Sequence, residues 1–217
     1  MKGYELPTRR QCLRLMQEYR VPLHIFRHCR KVNKLAVFLA RRLKENGVPV
    51  DAELVDRASL LHDFVRVCDL EQPNDIDFSR PITGKDKAKW QQIRTRYNNS
   101  SHEDAACEIL KSRYLVLAET VRKHKYACIL DARTGPVTWE EKIVYYADKR
   151  VMHDRIVALA ERLEEGHRRN ADLHTGRTDD RIDTEKVDRL IQNLEKEILA
   201  KVGLNADEIT EELVDSY

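Results

Sequence analysis

Glycine and proline are scarce, at 7 and 6 in 217 residues. With so few breakers, 35% charged and 41% hydrophobic residues read as long amphipathic helices. No internal repeat and no convincing strand pattern is present. No apolar run approaches the ~18 residues of a membrane span. The opening segment MKGYELPTRRQCLRLM has no uninterrupted apolar stretch of the signal-peptide kind. Cys12, Cys29, Cys68, Cys107 and Cys128 form no CxxC pair, and each lies in a helical pattern. They read as small buried residues in a reducing compartment. The expectation is a cytoplasmic protein with no membrane partner. A net charge of only +2 gives no broad positive field, so nucleic acid is an unlikely partner. A small anion held in one pocket stays open.

The length suits one substantial domain plus an appendage, here divided at residues 1–166 and 167–217. Helices are expected over about 8–19, 26–46, 51–67, 87–97, 100–112, 115–124, 138–165 and 184–202. Asn46-Gly47 closes the second, and Asp51 caps the third. Ser100 with Glu103, and Thr138 with Glu141, have capping-box spacing. Residues 69–85 read as a loop that shapes the pocket, and 166–182 as a polar linker. The expected fold class is all-α, a helical bundle with a C-terminal helical appendage.

Several polar residues fall on apolar faces. His28 lies on the stripe Val32, Leu35, Leu39. His62 follows Val55 and Ala58, His102 precedes Ala105, Ala106 and Ile109, and His124 follows Leu117 and Val121. Asp148 sits between Val144 and Val151, and Asp63 adjoins His62. A lone histidine there is more often a core residue bonded to a carbonyl than a ligand. Aspartate is harder to excuse, because a buried carboxylate must find a cation or a proton. No Lys or Arg shares these faces at matching positions. Metal ions would satisfy all six groups, and six ligands with bridging and water suit two ions. Mixed histidine and carboxylate donors point to iron, manganese or zinc, with magnesium possible.

These residues carry a resemblance. The segments HIFRHCRKVNKLAVFLARRL, RASLLHDFVRVCDL, SSHEDAACEIL, VRKHKY and KIVYYADKRV resemble the HD superfamily of metal-dependent phosphohydrolases, over about residues 22–152. The resemblance implies an HD-domain bundle in which His28, His62, Asp63 and Asp148 are the four common metal ligands. His102 and His124 match the two further histidines of the dinuclear branches. The nearest likeness is to the bacterial diadenosine tetraphosphate hydrolases. Two departures matter. The His62-Asp63 pair continues as Phe64-Val65-Arg66 rather than Ile-Gly-Lys, and Lys125-Tyr126-Ala127 stands where cyclic-dinucleotide phosphodiesterases carry Gly-Tyr-Pro.

The function so implied is hydrolysis of a phosphate ester or anhydride of a nucleotide-like substrate by a hydroxide formed on the metal. Asp63 is the expected bridging ligand. Arg66, one turn beyond His62, is the expected phosphate-binding group, with Lys149 and Arg150 as second candidates and Lys85, Lys87, Arg94 and Arg96 further out. The competing reading is a signalling or scaffold module with little catalysis. The apolar stripe of 184–202 offers either a homodimer contact or packing against its own domain.

Overall fold

The computed structural model describes residues 3–70, 81–173 and 182–217, with backbone alone for 170–173. Ten α-helices occupy the described residues: α1 Arg9–Glu18, α2 Leu23–Glu45, α3 Ala52–Leu61, α4 Gly84–Arg96, α5 His102–Leu110, α6 Leu115–Arg122, α7 Trp139–Asp148, α8 Leu159–Leu173, α9 Thr184–Val202 and α10 Glu211–Ser216. The fold is the all-α HD-type bundle expected.

The long α2 forms the axis of the bundle. Its residues Cys29, Val32, Leu35, Ala36, Leu39 and Leu43 recur at helical spacing and are buried. They pack against α3, α7 and α9. Emptying one such site, as in Leu39→Ala, costs about 2–5 kcal/mol. Sequence signals set several helix starts. Thr8 and Gln11 form a capping box on α1, Asp51 accepts from the amides of Glu53 and Leu54 on α3, and Thr138 and Glu141 form a capping box on α7. Gly47 takes the left-handed φ of 79° that ends α2.

Elsewhere the chain departs from expectation. The helix expected over 138–165 is broken after Asp148. Val151–Met152 and Arg155–Ile156 pair antiparallel, and α8 begins after them. The loop joining the strands holds His153 at a φ of 57°. The helix from Asp51 stops at Leu61, and a 3₁₀ turn follows at Arg66–Cys68. Ser101, not Ser100, caps α5, accepting from the amide of Asp104. α8 runs through Gly166 to Leu173, where a linker was expected. Of the loop expected over 69–85, residues 71–80 lie outside the described residues, as do 174–181 of the linker.

The stripe of α9 packs inward. Val187, Ile191, Ile198 and Val202 are fully buried, against α2, α7 and the 3₁₀ turn Tyr126–Leu130. That stripe is therefore used within the chain and not displayed to a second subunit. α10 then covers part of α2, with the side chains of Lys31 and Glu211 paired.

No helix among the described residues is long and apolar enough to cross a membrane.

Candidate metal centre

Five of the six candidate ligands line one cavity of about 570 Å³, and His62, fully buried, packs its ring 5.2 Å from that of His28 and 5.0 Å from that of His124. Most sit at helix ends. His62 is the C-cap of α3 and Asp63 follows it. His102 opens α5, His124 follows α6, and Asp148 closes α7; only His28 lies within a helix, α2. Helix ends bring side chains to a point without burying helix backbone there, which is why short helices converge here.

Each of the four imidazoles is held through Nδ1. That atom lies 2.8 Å from the carbonyl of His153 in His28, 2.8 Å from that of Ser59 in His62, and 2.5 Å from that of Val121 in His124. In His102 it lies 2.7 Å from Oδ2 of Asp69. An oxygen acceptor at Nδ1 makes it the protonated nitrogen and turns the Nε2 lone pair to the opposite side. All four Nε2 atoms point into one cluster. His28 Nε2 is 3.0 Å from Asp148 Oδ1, and His102 Nε2 is 3.0 Å from Asp63 Oδ1. His124 Nε2 is 3.4 Å from that same Asp63 oxygen and 3.1 Å from His102 Nε2.

The cluster fits divalent cations on two grounds. First, His62 Nε2 is buried and has no hydrogen-bond partner among the described residues; its nearest carboxylate oxygens are 3.5 Å away on Asp148 and 3.7 Å away on Asp63. A buried polar atom with nothing to bond is costly unless a ligand completes it. Second, Asp63 belongs to two sets of converging donors, one with His28 and His62 and one with His102 and His124. One carboxylate placed between two nitrogen pairs is a donor set that could hold divalent metal.

The electrostatics agree. Burial alone would raise the carboxyl of Asp63, but His62 and His102 hold it well below the usual range. Asp148 is likewise held low against burial, first by Lys149 and then by His28 and His62. Burial works against charge on His62, yet Asp63 raises it well above its ordinary value. His102 rises to about 9, because Glu103 and Asp63 outweigh burial and Arg66. His124 is lowered, chiefly by burial. Metal binding at these nitrogens would compete with protons, because an imidazole must be bare to ligate.

The predicted cations fare differently. Arg66 lines the cavity, its Nη1 2.7 and 2.9 Å from the two ring nitrogens of His102. Lys149 is buried and committed: Nζ donates to Asp148 Oδ2 at 2.7 Å and to the His124 carbonyl at 2.9 Å. It is the cation that the helical phase did not supply, and it positions two ligands. Arg150 is not brought into the cavity. Its guanidinium donates to the Val157 carbonyl, the Tyr146 hydroxyl, Glu195 and the Ala206 carbonyl, tying α7 to the C-terminal segment. Lys85, Lys87, Arg94 and Arg96 are not among the lining residues described.

Other residues were not foreseen. Asp69 holds His102, and Glu103, read only as a cap, is a buried carboxylate 3.4 Å from His102 Nδ1. His153 orients His28 through its backbone. From α8 come Arg162, His167 and Arg169. His167, in the stretch read as a polar linker, donates from Nε2 to Asp188 Oδ2 at 2.7 Å, and Asp188 also accepts from the Tyr126 hydroxyl at 2.7 Å. The one sequence sign of this wall is the cationic spacing of Arg162 and Arg169, two turns apart.

Among known families, residues 25–166 match the HD domain. The chain belongs to the HD domain family. HD domains form a superfamily whose members are mostly metal-dependent hydrolases, and the His62-Asp63 pair lies at the centre of the cluster just described. Over 220 aligned residues the chain is 26% identical to the tRNA (cytidine(56)-2'-O)-methyltransferase of Picrophilus torridus. That alignment covers 96% of this chain and 51% of the relative, so the chain spans about half the length of the curated relative it matches. No solved structure matches the chain.

Proposed function

We propose that this HD domain hydrolyses a phosphate ester or anhydride of a nucleotide-sized substrate, using two divalent ions that share Asp63. The observation that carries this reading is the turning of four imidazole Nε2 atoms onto two carboxylates at one end of a cavity of about 570 Å³. That volume falls in the range of small-molecule sites, about 300–1,000 Å³.

His28, His62, Asp63 and Asp148 would hold one ion, and Asp63, His102 and His124 the other. The donor set favours iron, manganese or zinc over ions that prefer oxygen alone. When bound, such ions act as Lewis acids and bring the pKa of coordinated water to near neutral. The chain's own residues do the rest. Lys149 fixes Asp148, and backbone carbonyls fix three imidazoles; Arg66 Nη1, 2.9 Å from His102 Nε2, would give up that nitrogen to an ion. Arg66 presents its guanidinium at the cavity wall, where it can bind phosphoryl oxygens in bidentate fashion. The survival of all six donors, each held in place, favours an enzyme over a scaffold with a vestigial site.

The dinuclear branch that includes diadenosine tetraphosphate hydrolases is the finer assignment we favour. The methyltransferase relative supports a second substrate reading, a phosphate carried on RNA, since its name attaches this kind of chain to a tRNA enzyme. The test is to load metal-stripped protein with Mn²⁺ or Fe²⁺ and assay bis(4-nitrophenyl) phosphate, mononucleotides, dinucleoside polyphosphates and short 5′-phosphorylated RNA. Metal-dependent hydrolysis that is lost in Asp63→Asn is the expected result. No hydrolysis of any of these by the loaded protein would contradict the proposal.

A further inference from the structure

We infer that α8 forms a second anion subsite in the cavity, centred on Arg162 and Arg169, which takes a phosphoryl group next to the one being cut. The inference deepens the hydrolase reading and rests on it for the meaning of "being cut", but the subsite itself is argued from α8 alone.

Arg162 and Arg169 lie seven residues apart, so they share one face of α8, and both line the cavity. Gly166 stands between them on that face and also lines it. A Cβ at Gly166 would come 3.3 Å from Nη1 of Arg162, so the glycine leaves the guanidinium its room. Arg162 is preset: Nε donates to the Val151 carbonyl at 3.1 Å and Nη1 to Glu165 at 3.0 Å. Arg169 reaches the other oxygen of Glu165 at only 3.8 Å. Among the described side chains, these two guanidiniums share the one carboxylate of Glu165.

Both guanidiniums line the cavity that Asp63, His102 and Asp148 also line. Burial, and after it the charges of Arg162 and Arg66, lower Arg169 from its ordinary value, against the opposing charges of Glu165 and Asp148. Crowding cations on a cavity wall is unfavourable unless an anion joins them. The scissile phosphoryl belongs with the metal ligands and Arg66. The α8 pair is left for a neighbouring one, and the planar fork of arginine suits phosphoryl oxygens. Such a neighbour is found in a nucleoside polyphosphate and in consecutive phosphodiesters of RNA.

The test uses the full Mn²⁺-loaded chain and calorimetric binding of four probes: AMP, ADP, and the dinucleotides ApA and pApA. Arg169→Gln should weaken ADP or pApA about tenfold while leaving AMP and ApA within about twofold. Loss on ADP assigns the subsite to a phosphoanhydride chain, and loss on pApA alone to a phosphodiester chain. Equal loss on AMP, or no loss on either two-phosphoryl probe, overturns the inference. If the protein binds ADP through Arg169 yet hydrolyses nothing, the hydrolase reading fails and the subsite stands.

Discussion

The carbonyl of His153, in the loop between two short strands, stands 2.8 Å from Nδ1 of His28, so a backbone group outside the bundle orients a metal ligand inside it. The C-terminal segment holds that hairpin. Glu211 of α10 accepts from the amide of Ile156 at 2.8 Å, and Arg150 donates to Val157 beside it at 2.7 Å. Glu211→Ala should therefore loosen His28 and weaken Mn²⁺ binding by up to about tenfold, the scale of an outer-shell change. Titration calorimetry on the metal-stripped variant checks this. Unchanged affinity would mean that α10 does not support the site.

Arg150 and Arg66 should separate cleanly. Arg150 is 2% exposed and bonded to α9 and to the segment after it. Arg150→Met removes the bonds of a buried guanidinium to Val157, Ala206 and Glu195, while Glu195, part-buried, keeps the Tyr146 hydroxyl, so the cost is about 2–3 kcal/mol. A lower melting temperature with unchanged KM is expected. Arg66→Gln should do the reverse, raising KM about tenfold or more at nearly unchanged stability. Thermal melts with steady-state kinetics on both variants decide the assignment.

The pH response follows from His102, which is raised to about 9 against an ordinary 6.5. A raised histidine stabilises the metal-stripped fold fully below pH 6.5, and that contribution is lost as pH climbs through about 9. Metal binding runs the opposite way, since it needs the bare nitrogen. Mn²⁺ affinity should rise by up to about tenfold per unit from pH 7 to 9, while the melting temperature of the stripped protein falls. A flat affinity over that window would show that His102 does not release a proton to the metal.

The helical phase of the sequence made five of the donors legible, because each lies in step with apolar neighbours such as Val32, Val55 and Val144, and Asp63 was reached only as the neighbour of His62. The break after Asp148 was not legible. The loop residues His153 and Asp154 are neither glycine nor proline, and the left-handed φ of His153 is imposed by its surroundings. Running the helix on through 149–158 hid the hairpin. It also placed Arg150 at the site, when its guanidinium turns toward α9. Spacing along single helices could not show that Lys149 reaches Asp148, since adjacent residues do not share a helix face. Nor could it show that α8 folds over the cavity, because its polar run from Gly166 lacks an apolar stripe.

The central claim is that Asp63 joins two ions. It is tested most directly by elemental analysis of protein loaded anaerobically with Mn²⁺ or Fe²⁺ and desalted, comparing wild type with Asp63→Asn. About two equivalents per chain in the wild type, falling to well under one in the variant with hydrolysis lost, is the expected result. Equal metal content in the two proteins, or a wild type that retains none, would contradict it.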